Sequence, residues 1–222
     1  MNDGGAEGGG FGIENLPYGV FRREGTPAIG VAFEDRIFDL RRAAGAGLLA
    51  ALPPETREAC CAPCLNPLLS LGRRRWRELR ALLTEVLAAR APAEAFLSPR
   101  GEAVMLLPAQ IGDYTDFYAS IHHATNVGRL FRPDHPLLPN YRWMPVAYHG
   151  RASSIVVDGS AIRRPCGQAK ESDAAAPHFG PSRAIDYELE VGFFIGNGNA
   201  PGEAVPVEAA EERIFGVCLV ND

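Results

Sequence analysis

The sequence predicts a mainly β fold with short helices. Three short runs rich in β-branched and aromatic residues, at 18–21, 29–33 and 36–40, are separated by turn-forming residues. Such a pattern predicts a small antiparallel sheet or barrel. Residues 184–195 alternate apolar with polar side chains, and residues 214–220 are apolar throughout, so each of these segments predicts a further strand.

Two helices are predicted between the early strands and the middle of the chain. Residues 43–52 are rich in Ala and Leu and predict a short helix that ends at two consecutive prolines. Residues 71–91 predict a longer helix, because large apolar residues recur there at helical spacing with Arg and Glu on the other face. Ser70 is the predicted N-cap of this helix, and Pro92 lies just past its end.

The chain divides into a short tail and two regions. Residues 1–10 are mostly Gly, Ala, Asn, Asp and Glu, a composition that predicts a disordered tail. A first domain is predicted over residues 11–103, and residues 104–222 form the region that carries the chemistry. Within this second region, the Asp-Gly pair at 158–159 predicts a hairpin over residues 154–163, since Asp-Gly suits a type I′ turn.

Composition and charge exclude several classes of protein. The 222 residues include 46% hydrophobic and 22% charged residues, as in a soluble globular protein. The net charge of -5 gives no basic excess that would indicate nucleic acid or an anionic membrane as a partner. No apolar run approaches the ~20 residues of a membrane span, and the N-terminus lacks a signal-peptide pattern. Five cysteines without a disulfide framework favour a cytoplasmic location, and the Cys61–Cys64 pair predicts ordinary thiols.

Candidate ligands for a cation are carboxylates at several places in the chain. Residues 111–128 combine two aspartates, two tyrosines, two histidines and an asparagine in one short span. Glu188 and Glu190 lie two residues apart in a predicted strand, so their side chains point to the same face about 7 Å apart. Their oxygen ligands favour Mg²⁺ or Ca²⁺ if that face is buried, whereas on a solvent-exposed face the pair indicates only an amphipathic strand. Asp116 and Asp222 are candidate further ligands.

His123 is the candidate general base, because histidine is the side chain that most often exchanges protons near neutral pH. The alternative is a hydrogen-bonded structural histidine. Ser153 and Ser154 lie near His149 in the sequence, but no Gly-x-Ser-x-Gly turn surrounds them, so a serine nucleophile is not predicted.

Several uncommon motifs follow one another along the chain, at residues 14–21, 111–118, 123–128, 148–154, 162–165, 188–190, 215–216 and 221–222. In these motifs and in their order the chain resembles the fumarylacetoacetase family. The resemblance covers nearly all of the chain after the Gly-rich tail and is weakest over residues 43–99.

This resemblance implies a fold and a set of site residues. The fold it implies is a small SH3-like N-terminal barrel followed by the beginning of a β-roll catalytic domain. The carboxylates that would bind Ca²⁺ or Mg²⁺, or both, are Asp116, Glu188, Glu190 and Asp222. His123 would be the base that activates water. The side chains that would contact the substrate are Tyr118, Arg132 and Tyr148.

The activity that the resemblance implies is the metal-dependent hydrolysis of a carbon–carbon bond in a small β-diketo acid. In this family 4-fumarylacetoacetate and water give fumarate and acetoacetate, the last step of tyrosine and phenylalanine catabolism. The resemblance also implies a cytoplasmic homodimer when the protein is full length. Carboxylate ligands do not distinguish Ca²⁺ from Mg²⁺, because both ions accept them.

In the family the polypeptide continues well past the aspartate that corresponds to Asp222. The resemblance therefore implies that these 222 residues are an N-terminal portion with little or no activity alone. Two other interpretations stay open at this point. One is a truncated, non-catalytic copy that pairs with a full-length subunit. The other is a different diketone or acylpyruvate hydrolase, or a decarboxylase, on the same scaffold.

Overall fold

A computed structural model describes residues 11–222, so the disordered tail predicted for residues 1–10 lies outside the described residues. The fold is mainly β with short helices, as predicted. The strands are β1 Tyr18–Arg22, β2 Ala28–Phe33, β3 Arg36–Asp39, β4 Leu97–Pro99, β5 Val104–Leu106, β6 Thr115–Phe117, β7 Ala147–His149, β8 Cys166–Ala169, β9 His178–Pro181, β10 Leu189–Ile195 and β11 Ile214–Asn221. The α-helices are α1 Leu40–Gly45, α2 Pro54–Cys60, α3 Asn66–Leu69, α4 Arg73–Ala88, α5 Ile121–Phe131 and α6 Val207–Ala210. Short 3₁₀ helices occupy Glu94–Phe96, Arg100–Glu102, Pro139–Arg142, Ala152–Ser154 and Glu211–Arg213.

The described residues divide into two compact units. The first comprises the described residues up to Gln110 together with Val157–Asp222, and the second comprises Ile111–Val156. Within the described part of the chain, none of the helices has the length and apolar character needed to cross a membrane.

The first unit contains a five-stranded antiparallel sheet in the order β4-β3-β2-β1-β5. The three strands predicted from the early apolar runs are β1, β2 and β3, and they are confirmed. Gly30 in β2 permits close packing, since a Cβ there would stand 2.8 Å from the Phe21 ring. The edge strands β4 and β5 do not pair with each other, so among the described residues this sheet is open and not a closed barrel.

Helix α4 supplies much of the core beside this sheet. Leu79, Leu83 and Leu87 are fully buried, as the helical spacing predicts. The helix is shorter than predicted at both ends, and the predicted N-cap is wrong. Gly72, with a φ of 80°, precedes the helix, and the Ser70 hydroxyl instead donates a hydrogen bond to the Pro67 carbonyl oxygen. Gly72 suits this position because a positive φ is strained for residues that carry a Cβ.

Two other local predictions need correction. The helix predicted over 43–52 is found earlier, as α1, because Asp39 caps it by accepting a hydrogen bond from the Arg42 amide at 3.0 Å. The hairpin predicted over 154–163 is wrong: the Asp-Gly turn exists, with Gly159 at a φ of 79°, but no strands flank it. A turn alone does not make a hairpin, because the flanking segments must also find partners for their backbone groups.

The antiparallel hairpin of β10 and β11 carries the candidate carboxylates. Both strands were predicted, although β10 begins five residues later than the segment that predicted it. The two strands pair continuously from Leu189–Asn221 to Phe194–Gly216, with a register shift between Phe194 and Ile195. The alternating apolar residues of β10 form an exposed face in this structure, and the polar face is the less exposed one.

Candidate functional site

The β10–β11 hairpin places three of the predicted carboxylates on one face. Glu188 and Asp222 lie directly opposite each other, one residue beyond the last strand pair. The Glu188 amide donates to the Asp222 carbonyl oxygen at 2.6 Å, and the Asp222 amide donates to the Glu188 carbonyl oxygen at 3.0 Å. Residues paired in this way direct their side chains to the same side of the ribbon. Glu190, two residues along β10, shares that side.

The spacing of the carboxylate oxygens suits a divalent cation. Oxygens of Glu190 and Asp222 lie within 4.8 Å of each other. Ca²⁺ binds oxygen ligands at about 2.3–2.6 Å, so two oxygens at this separation can lie on either side of one ion. Glu190 is half-buried, whereas Glu188 and Asp222 are exposed. The carboxylate face is therefore not fully buried, and the convergence of the Glu190 and Asp222 oxygens is what favours a cation.

In the second unit, Asp116 has a defined partner. Asp116 in β6 pairs with Tyr148 in β7, and their side chains lie on the same face of this two-stranded ladder. The Tyr148 hydroxyl donates a hydrogen bond to Asp116 Oδ2 at 2.7 Å. This bond orients the carboxylate and leaves its other oxygen to interact elsewhere. Two predicted site residues that are 32 positions apart in the sequence therefore act as a pair.

His123 lies in the first turn of α5, beside Tyr118. Ser120 caps the helix by accepting a hydrogen bond from the His123 amide at 3.2 Å, which fixes the backbone from which the imidazole extends. The His123 and Tyr118 rings are 5.3 Å apart between centroids and nearly perpendicular, at 77°. The imidazole is exposed, so a water molecule can reach it.

Arg132 lies at the opposite end of the same helix. Its backbone amide donates to the Gly128 carbonyl oxygen at 2.7 Å, and its guanidinium donates to the Pro136 carbonyl oxygen at 3.3 Å. The side chain is exposed. The helix thus separates Arg132 from His123 by nine residues, or about 13 Å along the axis.

Tyr141 contacts the predicted site residue Tyr118, although no sequence pattern indicated it. Its hydroxyl donates a hydrogen bond to the Tyr118 carbonyl oxygen at 2.9 Å, and the two rings lie 6.1 Å apart at 87°. Tyr118 and Tyr141 also line a cavity of about 300 Å³ within the second unit, together with Trp143 and Met144. No sequence pattern indicated Tyr141, whereas the Ser120 cap could have been recognised from its position before an apolar run.

Two family models match successive parts of the chain. The model described as "Fumarylacetoacetase N-terminal" matches residues 14–108. The model described as "Fumarylacetoacetate (FAA) hydrolase C-terminal" matches residues 113–222, which contain every candidate site residue.

Named relatives extend the same similarity over almost the whole chain. A protein named fumarylacetoacetase from Caenorhabditis elegans is 47% identical over 96% of this chain and 53% of its own length. Proteins of the same name from Bos taurus and Homo sapiens are 46% and 45% identical, each over 98% of this chain and 54% of their own length. The chain thus spans about half the length of the curated relatives it matches. With both family models and this level of identity, the chain belongs to the fumarylacetoacetate hydrolase family.

Proposed function

We propose that this protein hydrolyses a carbon–carbon bond in a β-diketo acid, converting 4-fumarylacetoacetate and water to fumarate and acetoacetate. The observation that carries the proposal is the carboxylate face of the β10–β11 hairpin, in a chain that belongs to a hydrolase family. The name that the relatives share, fumarylacetoacetase, supports this substrate over other diketones.

The proposed metal ligands are Asp116, Glu188, Glu190 and Asp222, with Ca²⁺ or Mg²⁺ or both as the ion. Hard carboxylate oxygens are the donors that these ions prefer. The convergence of carboxylate oxygens supports Glu190 and Asp222, and the shared face of the hairpin supports Glu188. Asp116 belongs to the set by family resemblance. When bound, the ion supplies positive charge that polarises the carbonyl groups of the diketone.

His123 is the proposed base that removes a proton from water. The oxygen of that water adds to one carbonyl carbon, and the bond between this carbon and the carbon separating the two carbonyls then breaks. The electron pair passes to the departing carbon, where the neighbouring carbonyl delocalises it until a proton is added. The Tyr118 ring beside His123 supports this role, because it restricts where the imidazole can lie.

The proposed substrate contacts are Tyr118, Arg132 and Tyr148. Arg132 is suited to bind a substrate carboxylate, because a guanidinium can donate two parallel hydrogen bonds to the two oxygens of a carboxylate. Tyr148 would have two roles. It would contact the substrate, and its hydroxyl holds the Asp116 carboxylate in one orientation.

We extend the proposal to the whole protein on the same family basis. Strands β1 to β4 form the core of an SH3-like domain spanning residues 11–103, and residues 104–222, which start with β5, begin a β-roll catalytic domain. The full-length protein is a cytoplasmic homodimer that acts on a small molecule and binds neither nucleic acid nor membrane. The net charge of -5 supports the last point.

Calorimetric titration of Ca²⁺ and Mg²⁺ into the 222-residue chain tests the metal site. Glu190→Gln and Asp222→Asn each remove one ionised carboxylate, so each is expected to weaken binding at least about tenfold. Glu208→Gln, an exposed residue at the start of α6, is the matched control and leaves affinity unchanged. Equal affinity in all four proteins would refute the metal assignment.

Turnover tests the reaction itself. The protein to use is the product of the longest open reading frame that includes these 222 codons, and the assay follows loss of the diketone by absorbance. His123→Asn is expected to lower kcat by about 10²–10⁴, the usual contribution of a general base. The neighbouring exposed His122→Asn is the control and retains activity. Tight metal binding without hydrolysis of the diketone would contradict the proposed function.

A further inference from the structure

The base of the β10–β11 hairpin is held by aromatic residues from the N-terminal part of the first unit. Phe215, the second residue of β11, lies with its ring centroid 5.5 Å from that of Tyr18 in β1. On another side, the Trp76 ring of α4 lies 5.2 Å away at 88°, an edge-to-face arrangement. Phe215 is thus a half-buried contact between the hairpin and the sheet–helix core.

The backbone of the hairpin also approaches Trp76 closely. Gly196 follows directly after β10, and a Cβ at this position would overlap the Trp76 indole and stand 2.9 Å from the Leu69 carbonyl oxygen. The indole itself is fixed, because its Nε1 donates a buried hydrogen bond to the Leu68 carbonyl oxygen at 2.8 Å. Trp76 therefore offers a rigid surface on which both Gly196 and Phe215 rest.

Charged residues add a weaker contact at the same place. Arg73 of α4 forms ion pairs with Glu211 at 3.1 Å and Glu212 at 2.9 Å, just before β11. Both glutamates are largely exposed, and exposed ion pairs contribute little to stability. The aromatic contact is therefore the main attachment.

The carboxylates lie at the other end of this hairpin. Phe215 and Asp222 are seven residues apart in the strand, or about 23 Å. The pairing runs from Ile195–Ile214 to Leu189–Asn221 with one register shift, so movement at the base is transmitted along the ladder.

We propose that Phe215 is a positioning residue: by fixing the hairpin base against Tyr18 and Trp76, it holds Glu188, Glu190 and Asp222 in the arrangement that binds the cation. The inference rests on the proposed metal site and assigns the N-terminal part of the chain a role in it. One hydrogen-bonded ladder joins the base of the hairpin to Glu188 and Asp222, so the alignment of the base sets where the three carboxylates lie. Ligand groups must be held within about 0.5 Å of their productive positions, which requires a fixed base.

Phe215→Ala in the 222-residue chain tests the proposal, with Phe215→Leu as a second variant that keeps an apolar side chain. Amide hydrogen exchange is measured at Glu188 and Asp222, whose amides bond across the far end of the hairpin. We expect local exchange about tenfold faster in Phe215→Ala and Ca²⁺ affinity about tenfold weaker, the lower end of the effect of losing an orienting group. Phe215→Leu, which removes the ring contacts, is expected to shift both in the same direction but less.

Leu83→Ala is the matched control. Leu83 is fully buried in α4, seven residues or about 10 Å along the axis from Trp76, so its loss weakens the core without removing a ring that contacts Phe215, and both local readouts stay at parental values. Parental exchange at Glu188 and Asp222 in both Phe215 variants would overturn the proposal. If the parent chain binds no Ca²⁺, the proposed metal site fails, and the exchange measurement still decides whether Phe215 aligns the hairpin.

Discussion

Substitution of Gly128 by Ala is expected to destabilise the second unit, although Ala is the better helix former. Gly128 is buried in α5, where the loop containing Pro136 crosses the helix. A Cβ at this position would overlap the Pro136 carbonyl oxygen and stand 2.7 Å from the carbonyl carbon and 3.0 Å from the Cα. These are backbone atoms, so they cannot rotate aside as a side chain can.

The expected change in the free energy of unfolding combines two opposing contributions. Replacing Gly by Ala in an unstrained site stabilises a protein by about 0.4–1 kcal/mol, because the unfolded chain loses freedom. Overpacking costs about 1–3 kcal/mol, and the backbone obstruction places Gly128 at the upper end. We therefore expect a net loss of about 2 kcal/mol, which is about a thirtyfold change in the opening equilibrium. Arg132 should move too, since its guanidinium binds the same Pro136 carbonyl.

Native-state amide exchange provides the assay. The Ala124 amide, which donates to the Ser120 carbonyl oxygen at 2.9 Å, reports opening of α5. Gly112→Ala is the matched control in the same unit, because a Cβ there meets nothing within 4 Å and its φ is not positive. We expect protection to fall in Gly128→Ala and to stay level or rise in Gly112→Ala. Equal protection in the two variants would mean that the Pro136 backbone does not obstruct a Cβ at position 128.

Two further predictions concern stability. Tyr141→Phe removes the hydrogen bond to the Tyr118 carbonyl oxygen and should cost about 1 kcal/mol in the second unit, measured by the same exchange assay; no change would mean that this bond does not hold Tyr118. Burial, with a smaller contribution from the neighbouring Cys61, raises the pKa of the Cys60 thiol from 9.0 to about 12. The folded protein therefore keeps a proton that the unfolded chain loses, so the free energy of unfolding should fall as pH rises from about 9 towards 12. Cys60→Ala should reduce that slope in urea titrations, and an unchanged slope would contradict the assignment. Burial raises the pKa of Tyr18 as well, so some slope should remain.

The sequence predicted elements best where one local rule was sufficient. Strands β1 to β3 and helix α4 follow from periodicity and turn residues, because their buried faces are continuous in the sequence. The errors lie where local signals competed. Gly72 and Asp39 decided the starts of α4 and α1, and the Asp-Gly turn at 158–159 lacked strands to join.

In the candidate site, too, local sequence rules predicted some features and not others. The two-residue period of a strand determines from sequence alone that Glu188 and Glu190 share a face. Residue chemistry alone made Asp116, Asp222 and His123 candidates, and family resemblance added Tyr118, Arg132 and Tyr148. Neither gave the geometry of these residues. The convergence of Glu190 with Asp222 and the bond from Tyr148 to Asp116 depend on strand register.

Motifs and periodicity in the amino-acid sequence indicate the family, the main strands and the types of side chain available to the site. The contacts between distant residues follow from the folded arrangement: Glu188 with Asp222, Tyr141 with Tyr118, and Phe215 with Tyr18 and Trp76. Local propensity cannot select these partners, because it acts over only a few neighbouring residues. Strand pairing and aromatic packing instead select partners from distant parts of the chain, by the combined free energy of backbone hydrogen bonds and buried surface.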